Sequence, residues 1–475
     1  MPWASQGLCT SRIKRSPCIR IGQQDATVNV KTPSIPPGPR GYWVVGNLPD
    51  FAGDLLGFLT RCARDYGDIV RLRLGTSSAV LLNHPDQIEQ VLVTRQAEFV
   101  KYRFFWRHVT RLFGNGLLTS AGSLWRRQHA LMAPAFRQEQ LALSVDKIVC
   151  CAKRLVDHWQ DGEERDIRVD MTRLTIEIAS KVLFDVELDH AVAGISRAVD
   201  RGIEEISKRF KRGIFIPDWI PTPGNRRYLV TVRDLDAAVA NILAERRTPC
   251  RDRTDLLSTL LHSRDAEGRP IDARLLRDEL VTLLLAGHET TALALTWTLY
   301  LLSRHPGVAT RMEEEVDAVL GPERLPGAAD LGRLRYLGWA VTEAMRLYPP
   351  VYLLGREAVR EIEFAGYRLS RGTIFLISQW VVHRDPRFFP EPEAFRPERW
   401  GDRQHPRFAY FPFGGGQRIC IGQPLAMMEA KLVLAMVCQR FRLAAGVGAP
   451  VRPYPSVTLR PDGPVRLVVT RRVPE

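Results

Sequence analysis

At 475 residues the chain is long enough for one large enzyme fold or several average domains, and its 45% hydrophobic and 25% charged residues exclude a fibrous or wholly disordered polymer. A net charge of +14 suits nucleic acid, an anionic membrane or an acidic protein partner. The basic residues are scattered, however, and no Lys/Arg block interleaved with aromatics occurs, which argues against nucleic acid.

Residues 1–32 read as a loose basic leader, and the chain from 33 to 475 as a single domain. The stretch PSIPPGPRGYWVVGNLPDF (33–51) is stiffened by its prolines and predicts an extended strap. IVRLRLG and AVLLN (69–83) alternate like a short hairpin. From about 85 to 350 apolar residues recur at three- and four-residue spacing, as in LLRDELVTLLLAGHETTALALTWTLYLLSRH, and predict helices. From 351 the pattern returns to short strands (VYLLGREAV, IEFAGYRL, TIFLISQWVV), then a coil, a glycine-rich stretch, a helix and a strand-rich tail. The expected fold class is therefore mainly α with small β-sheets.

The eight cysteines show no C-x-x-C pair and no zinc-type spacing, and no secretory signal accompanies them. They indicate a reducing, cytoplasmic setting. No window has the uninterrupted apolar length, about 18 residues, of a membrane span, so no transmembrane segment is expected.

One cysteine stands apart. In FGGGQRICIG (413–422), Cys420 lies just ahead of Gln423, Pro424 and the helix-forming LAMMEAKLVLAMVC. A helix N-terminus with a first-turn proline offers free amides that favour a thiolate, a soft metal ligand. The glycines would allow a tight turn and close approach to a flat ligand, and Arg418 offers a fork for a carboxylate. A buried structural cysteine in a glycine turn fits the same residue types. AGHETT (286–291) interrupts a long apolar helix with a glycine and two threonines, which permits a local bend or close helix packing. In EAMR (343–346), Glu343 and Arg346 lie one turn apart and can pair.

Phe413, Gly416, Arg418, Cys420 and Gly422 match F-x-x-G-x-R-x-C-x-G, so the chain resembles the cytochrome P450 family from about residue 33 to 470. The other family motifs follow in order: SLWRRQHALMAPAF (123–136), AGHETT, EAMR with RLYPP, and FRPERW. The resemblance implies a helix-rich triangular prism with small sheets. It implies haem b, with Cys420 as the proximal thiolate, Phe413 packed against it, Gly422 in the ligand loop, and Arg418, Arg356, Trp125 and His129 reaching the propionates. His129 stands where arginine is most common. Glu289 and Thr290 become the acid and alcohol pair that organises water and delivers protons, and His288 a helix-face residue, not a ligand. Glu343, Arg346 and Arg399 become a structural triad. The substrate is expected at the loop after Phe104, at Leu285 and Ala286, along Val351, Leu353 and Leu354, and at Val457.

The implied activity is a monooxygenase, a hydroxylase of lipid, terpenoid or polyketide-like molecules such as those of secondary metabolism, with O2 as co-substrate. Because the chain ends 55 residues after Cys420 (475 less 420), electrons are expected from NAD(P)H through an external ferredoxin and ferredoxin reductase. Arg126, Arg127 and Lys431 are candidate docking cations. A haem-thiolate isomerase or dehydratase, and a non-enzymatic haem sensor, are the alternatives.

Overall fold

The computed structural model describes residues 35–186, 198, 201–209, 219–246, 255–264, 271–402, 405–448 and 450–472; the basic leader lies outside them. Helices dominate. The longest, Ala273–Arg304, is rich in Leu and Ala, which favour the helix despite its threonines and Gly287, and is buried on nearly every side. It ends at His305 because Pro306 cannot continue the ladder and instead opens the next helix, Pro306–Leu320. This central helix packs most extensively on Ile167–Phe184 and also touches Arg335–Leu347 and Gln423–Arg440, the helix after Cys420. By length and mean hydropathy it could cross a membrane, but it has no uninterrupted apolar run of about 18 residues and 78% of its most apolar window is buried, which makes it a core helix.

The main sheet has the spatial order Ile69–Leu74, Ser77–Leu82, Ile374–Ile377, Leu354–Ala358, Phe99–Lys101. The first two strands form the expected hairpin, with Ile69 opposite Leu82. The strap lies along this sheet: the amide of Arg71 donates to the Pro37 carbonyl at 2.7 Å, and a Cβ on Gly38 would meet the Arg71 carbonyl oxygen at 2.0 Å. Its end is not extended but forms a short helix, Leu48–Gly53, with proline in the first turn.

Two further expectations change. QWVV reads as strand, yet Gln379–Val382 is helical, because Ser378 ends the strand and its hydroxyl caps the amide of Val381. The segment after Phe104 is no loop: Arg103–Phe113 is a helix whose apolar face buries Val109, Leu112 and Phe113. IEFAGYRL forms its own hairpin, in which Ala365 and Gly366 both adopt positive φ (48° and 79°), the requirement of a tight two-residue turn.

Candidate active site

Cys420 sits in the turn before the helix Gln423–Arg440, whose N-cap is Gly422. The backbone amide of Cys420 donates to the Phe413 carbonyl at 3.0 Å, closing the loop. Amides of Gly422 and Gln423 point at the sulfur and favour its anion, while burial pushes the thiol the other way and dominates, so the thiol lies above its ordinary value. The helix start alone therefore does not make a thiolate here; a metal that deprotonates the sulfur outright would. Cys420 nevertheless keeps open surface within its closely packed surroundings.

Two of the loop glycines are required by close packing within the protein. Gly416 has φ +69°, and a Cβ there would lie 1.9 Å from the Leu92 carbonyl oxygen; one on Gly415 would lie 2.4 Å from the Phe408 ring. These two glycines are demanded by the protein's own packing. Gly422 faces the sulfur, and a Cβ there would stand 3.8 Å from it.

Beside this loop, cations converge. Arg418 donates from Nη2 to the Ser120 carbonyl at 2.9 Å and lies 4.1 Å over the Trp125 ring, and that ring stacks obliquely on His129 at 5.1 Å. Arg356 lies in Leu354–Ala358, whose pairing with Phe99–Lys101 sets Lys101 directly opposite it. Like charges across a strand pair repel. Burial, then the nearness of Arg418 and Arg356, pushes Lys101 down to about 6. Burial holds Arg356 near 10, and burial with repulsion from Arg356 does the same to Arg418. Among the described residues none of the three is in a salt bridge, although Lys101 donates to the Leu118 carbonyl and its ammonium lies 4.7 Å over the Trp106 ring. All three keep open surface. Three half-buried cations with no carboxylate between them fit a ligand that brings its own negative charge, as a haem with two propionates does. Lys101 was missed from the sequence: a lone lysine in FVKYRFF carries no signal until the strand register sets it against Arg356.

On the central helix, Ala286 is exposed and Gly287 and Thr290 half-buried in an otherwise buried run, with Ala286 and Thr290 one turn apart and so on one face. The Thr290 hydroxyl donates back to the Ala286 carbonyl at 2.9 Å. Glu289 points elsewhere. Its Oε1 accepts from the Thr458 hydroxyl at 2.7 Å and from Arg460 at 2.8 Å (Nε) and 2.5 Å (Nη2). His288 is buried against Ile167–Phe184, with Nδ1 2.6 Å from the Leu284 carbonyl and its own carbonyl accepting from Thr175 at 2.9 Å. Leu285 is buried; Val351, Leu353, Leu354 and Val457 are half-buried.

Glu343 and Arg346 are wholly buried and Arg399 nearly so where the three meet. Arg346 donates to both Glu343 oxygens at 2.9 Å, and Arg399 Nε to Oε1 at 2.9 Å. Trp400 and the Arg396 amide, not foreseen, complete the carboxylate's shell at 2.9 and 3.0 Å. Arg346 also donates to the His383, Pro392 and Ala394 carbonyls, so this cluster ties Arg335–Leu347 to the coil that leads to the cysteine loop.

A cytochrome P450 family model matches residues 36–468, nearly the whole chain. The chain is a member of the cytochrome P450 family. This P450 is 37% identical over 399 residues to cyclooctat-9-en-7-ol 5-monooxygenase of Streptomyces melanosporofaciens, covering 83% of this chain and 84% of that one. It is 34% identical to cyclooctatin synthase of the same organism (95% and 98% covered) and 33% identical to pentalenene oxygenase of Streptomyces avermitilis (92% and 97%). It is thus an oxidoreductase, a monooxygenase acting on hydrophobic molecules, and its mainly helical architecture with small sheets is the family's fold.

Proposed function

We propose that this P450 hydroxylates or epoxidises a terpenoid, using electrons passed from NAD(P)H by a ferredoxin reductase and a ferredoxin. The observation that carries the haem site is the convergence of Lys101, Arg356 and Arg418 next to the Cys420 loop with no salt bridge to any of them among the described residues. In this reading Cys420 ligates the iron, Phe413 and Gly422 shape the loop around it, and Arg418, Arg356, Lys101, Trp125 and His129 hold the propionates. Haem b held in this way supplies the activation of dioxygen, which puts one oxygen atom into a C–H or C=C bond and releases the other as water.

The chain's own residues do the rest. Ala286 and Thr290 present the open face of the central helix, with the Thr290 hydroxyl available to orient water, and Glu289 next to it serves as the acid of the pair. Leu285, Val351, Leu353, Leu354 and Val457 offer an apolar wall that excludes water and selects a hydrocarbon skeleton. Support for a terpenoid comes from this lining and from the relatives' names. A cytoplasmic location accompanies this reading, given the unpatterned cysteines.

Arg126 and Arg127 are exposed on the helix that carries Trp125, and form the docking face for an acidic ferredoxin. Lys431 does not belong with them: it is half-buried and its ammonium donates to the Leu331 carbonyl at 2.9 Å. The test is a panel of terpenes, fatty acids and polyketides screened by substrate-induced difference spectra, followed by turnover with a ferredoxin system. Terpene binding with matched consumption of NAD(P)H and O2 is expected. Product formed without either would instead establish an isomerase or dehydratase.

A further inference from the structure

The acid of the central helix is held by the tail of the chain. Glu289 and Thr290 are neighbours in sequence, but successive residues of a helix point about 100° apart, and only Thr290 shares the open face with Ala286. Glu289 is buried and faces the hairpin formed by Pro453–Pro455 and Leu459–Pro461. There a single oxygen, Oε1, takes the Thr458 hydroxyl and two nitrogens of Arg460. Among the described residues Glu289 has no other ion-pair partner.

The hairpin is itself fixed. The Leu459 carbonyl accepts from the Trp297 indole at 3.0 Å, two turns along the central helix, and the Leu459 amide donates to Pro350 at 2.9 Å. Its tip is tied to the apolar wall: the Tyr352 hydroxyl donates to the Ser456 carbonyl at 2.5 Å, and the Ser456 and Ser207 hydroxyls are 2.6 Å apart. Val457, between Ser456 and Thr458, is part of that wall.

Resting on the monooxygenase reading above, we propose that Arg460, with Thr458, is the positioning residue for proton supply. It keeps Glu289 aimed at the tail hairpin, and it places that control on the element that carries Val457. A substrate that presses on Val457 thereby acts on the acid as well as on the pocket. Removing the guanidinium leaves a buried carboxylate without its counter-ion, which then turns away from the hairpin.

The experiment uses the haem-loaded enzyme and the variants Arg460→Gln, Arg460→Lys and Thr458→Val, each checked for an unchanged carbon-monoxide difference spectrum. Infrared difference spectroscopy reads the Glu289 carboxyl without turnover. Arg460→Gln is expected to shift the carboxylate stretching bands that are assigned to Glu289 by their loss in Arg460→Gln/Glu289→Gln, whereas Arg460→Lys stays close to the parent. In turnover, Arg460→Gln is expected to lose product per NAD(P)H by roughly 10- to 100-fold, the cost of a misplaced catalytic group, with a changed pH profile and substrate affinity within about twofold. Arg460→Lys restores most of the coupling, and Thr458→Val shows a smaller loss of the same kind. Parent-like coupling, pH profile and infrared spectrum in Arg460→Gln would overturn the proposal. If the parent enzyme itself consumed no NAD(P)H with any substrate, the monooxygenase reading would fail, while the infrared comparison would still decide whether Arg460 holds the acid.

Discussion

Glu343 accepts from Arg346, Arg399, Trp400 and the Arg396 amide, and neither it nor Arg346 has any exposed side-chain surface. Removing the carboxylate strands the Arg346 charge in the interior, where an unpaired ion costs about 3–5 kcal/mol. Glu343→Ala is expected to lose about that much in chemical denaturation and to retain little haem. Lys101 is the opposite case, a charge that the apoprotein would do better without. Its folded pKa, near 6, is below the ordinary 10.5, so the unfolded chain binds the extra proton between those values and stability rises with pH across that window. Below about pH 6 the lysine is charged in both states and its burial penalty is complete. Lys101→Met is therefore expected to stabilise the apoprotein most at pH 6 and below and least above pH 10.5, and to flatten the pH dependence of its melting temperature. Propionates would raise the lysine's pKa again, so in the haem-loaded protein the gain should shrink or reverse. Melting curves of both forms from pH 5 to about 10 check this.

The cysteine loop is an element whose backbone, more than its side chains, fixes the geometry. Gly416 combines φ +69° with a Cβ position 1.9 Å from the Leu92 carbonyl oxygen, whereas Gly422 has φ −82° and an ordinary 3.8 Å approach to the sulfur. Gly416→Ala is expected to cost more than the roughly 1–3 kcal/mol of left-handed strain alone and to abolish haem uptake. Gly422→Ala should stay within about 1 kcal/mol of the parent. Thermal melts and haem content per chain separate the two. Elements of this kind were legible in sequence wherever a local rule governs them: the 69–83 hairpin from alternation, the central helix from its apolar spacing, the helix after Cys420 from proline and helix formers. A local rule failed where a cap overrode composition: QWVV has the β-branched residues of a strand, but Ser378 caps it into a helix. After Phe104 the helical spacing held, and it was the loop implied by the family resemblance that gave way to a helix burying Val109, Leu112 and Phe113.

At the scale of the molecule, the motif residues could be named in advance, but their partners could not. Lys101 and Arg356 meet through a strand register between distant segments, and Arg460 reaches Glu289 across 171 residues. Neither pairing leaves a local trace; both exist only once the sheet and the tail hairpin have formed. Surface charge is the other whole-molecule property. The net charge of +14 does not say where a partner docks, but beside Trp125 the exposed Arg126 and Arg127 adjoin Leu124, 36% exposed, and Ile419, 47% exposed, is next to the cysteine. An apolar centre rimmed by arginines on the Cys420 side suits a small acidic protein. Arg126→Glu/Arg127→Glu is expected to raise the KM for ferredoxin by about tenfold at low salt, leaving substrate difference spectra and kcat at saturating ferredoxin unchanged. The gap from the parent should narrow as salt rises, because the screening length falls from about 10 Å at 0.1 M to about 3 Å at 1 M. Lys431→Glu serves as the contrast. Its ammonium is spent on the Leu331 carbonyl, so its replacement should lower the melting temperature and leave the salt dependence of the ferredoxin KM as in the parent.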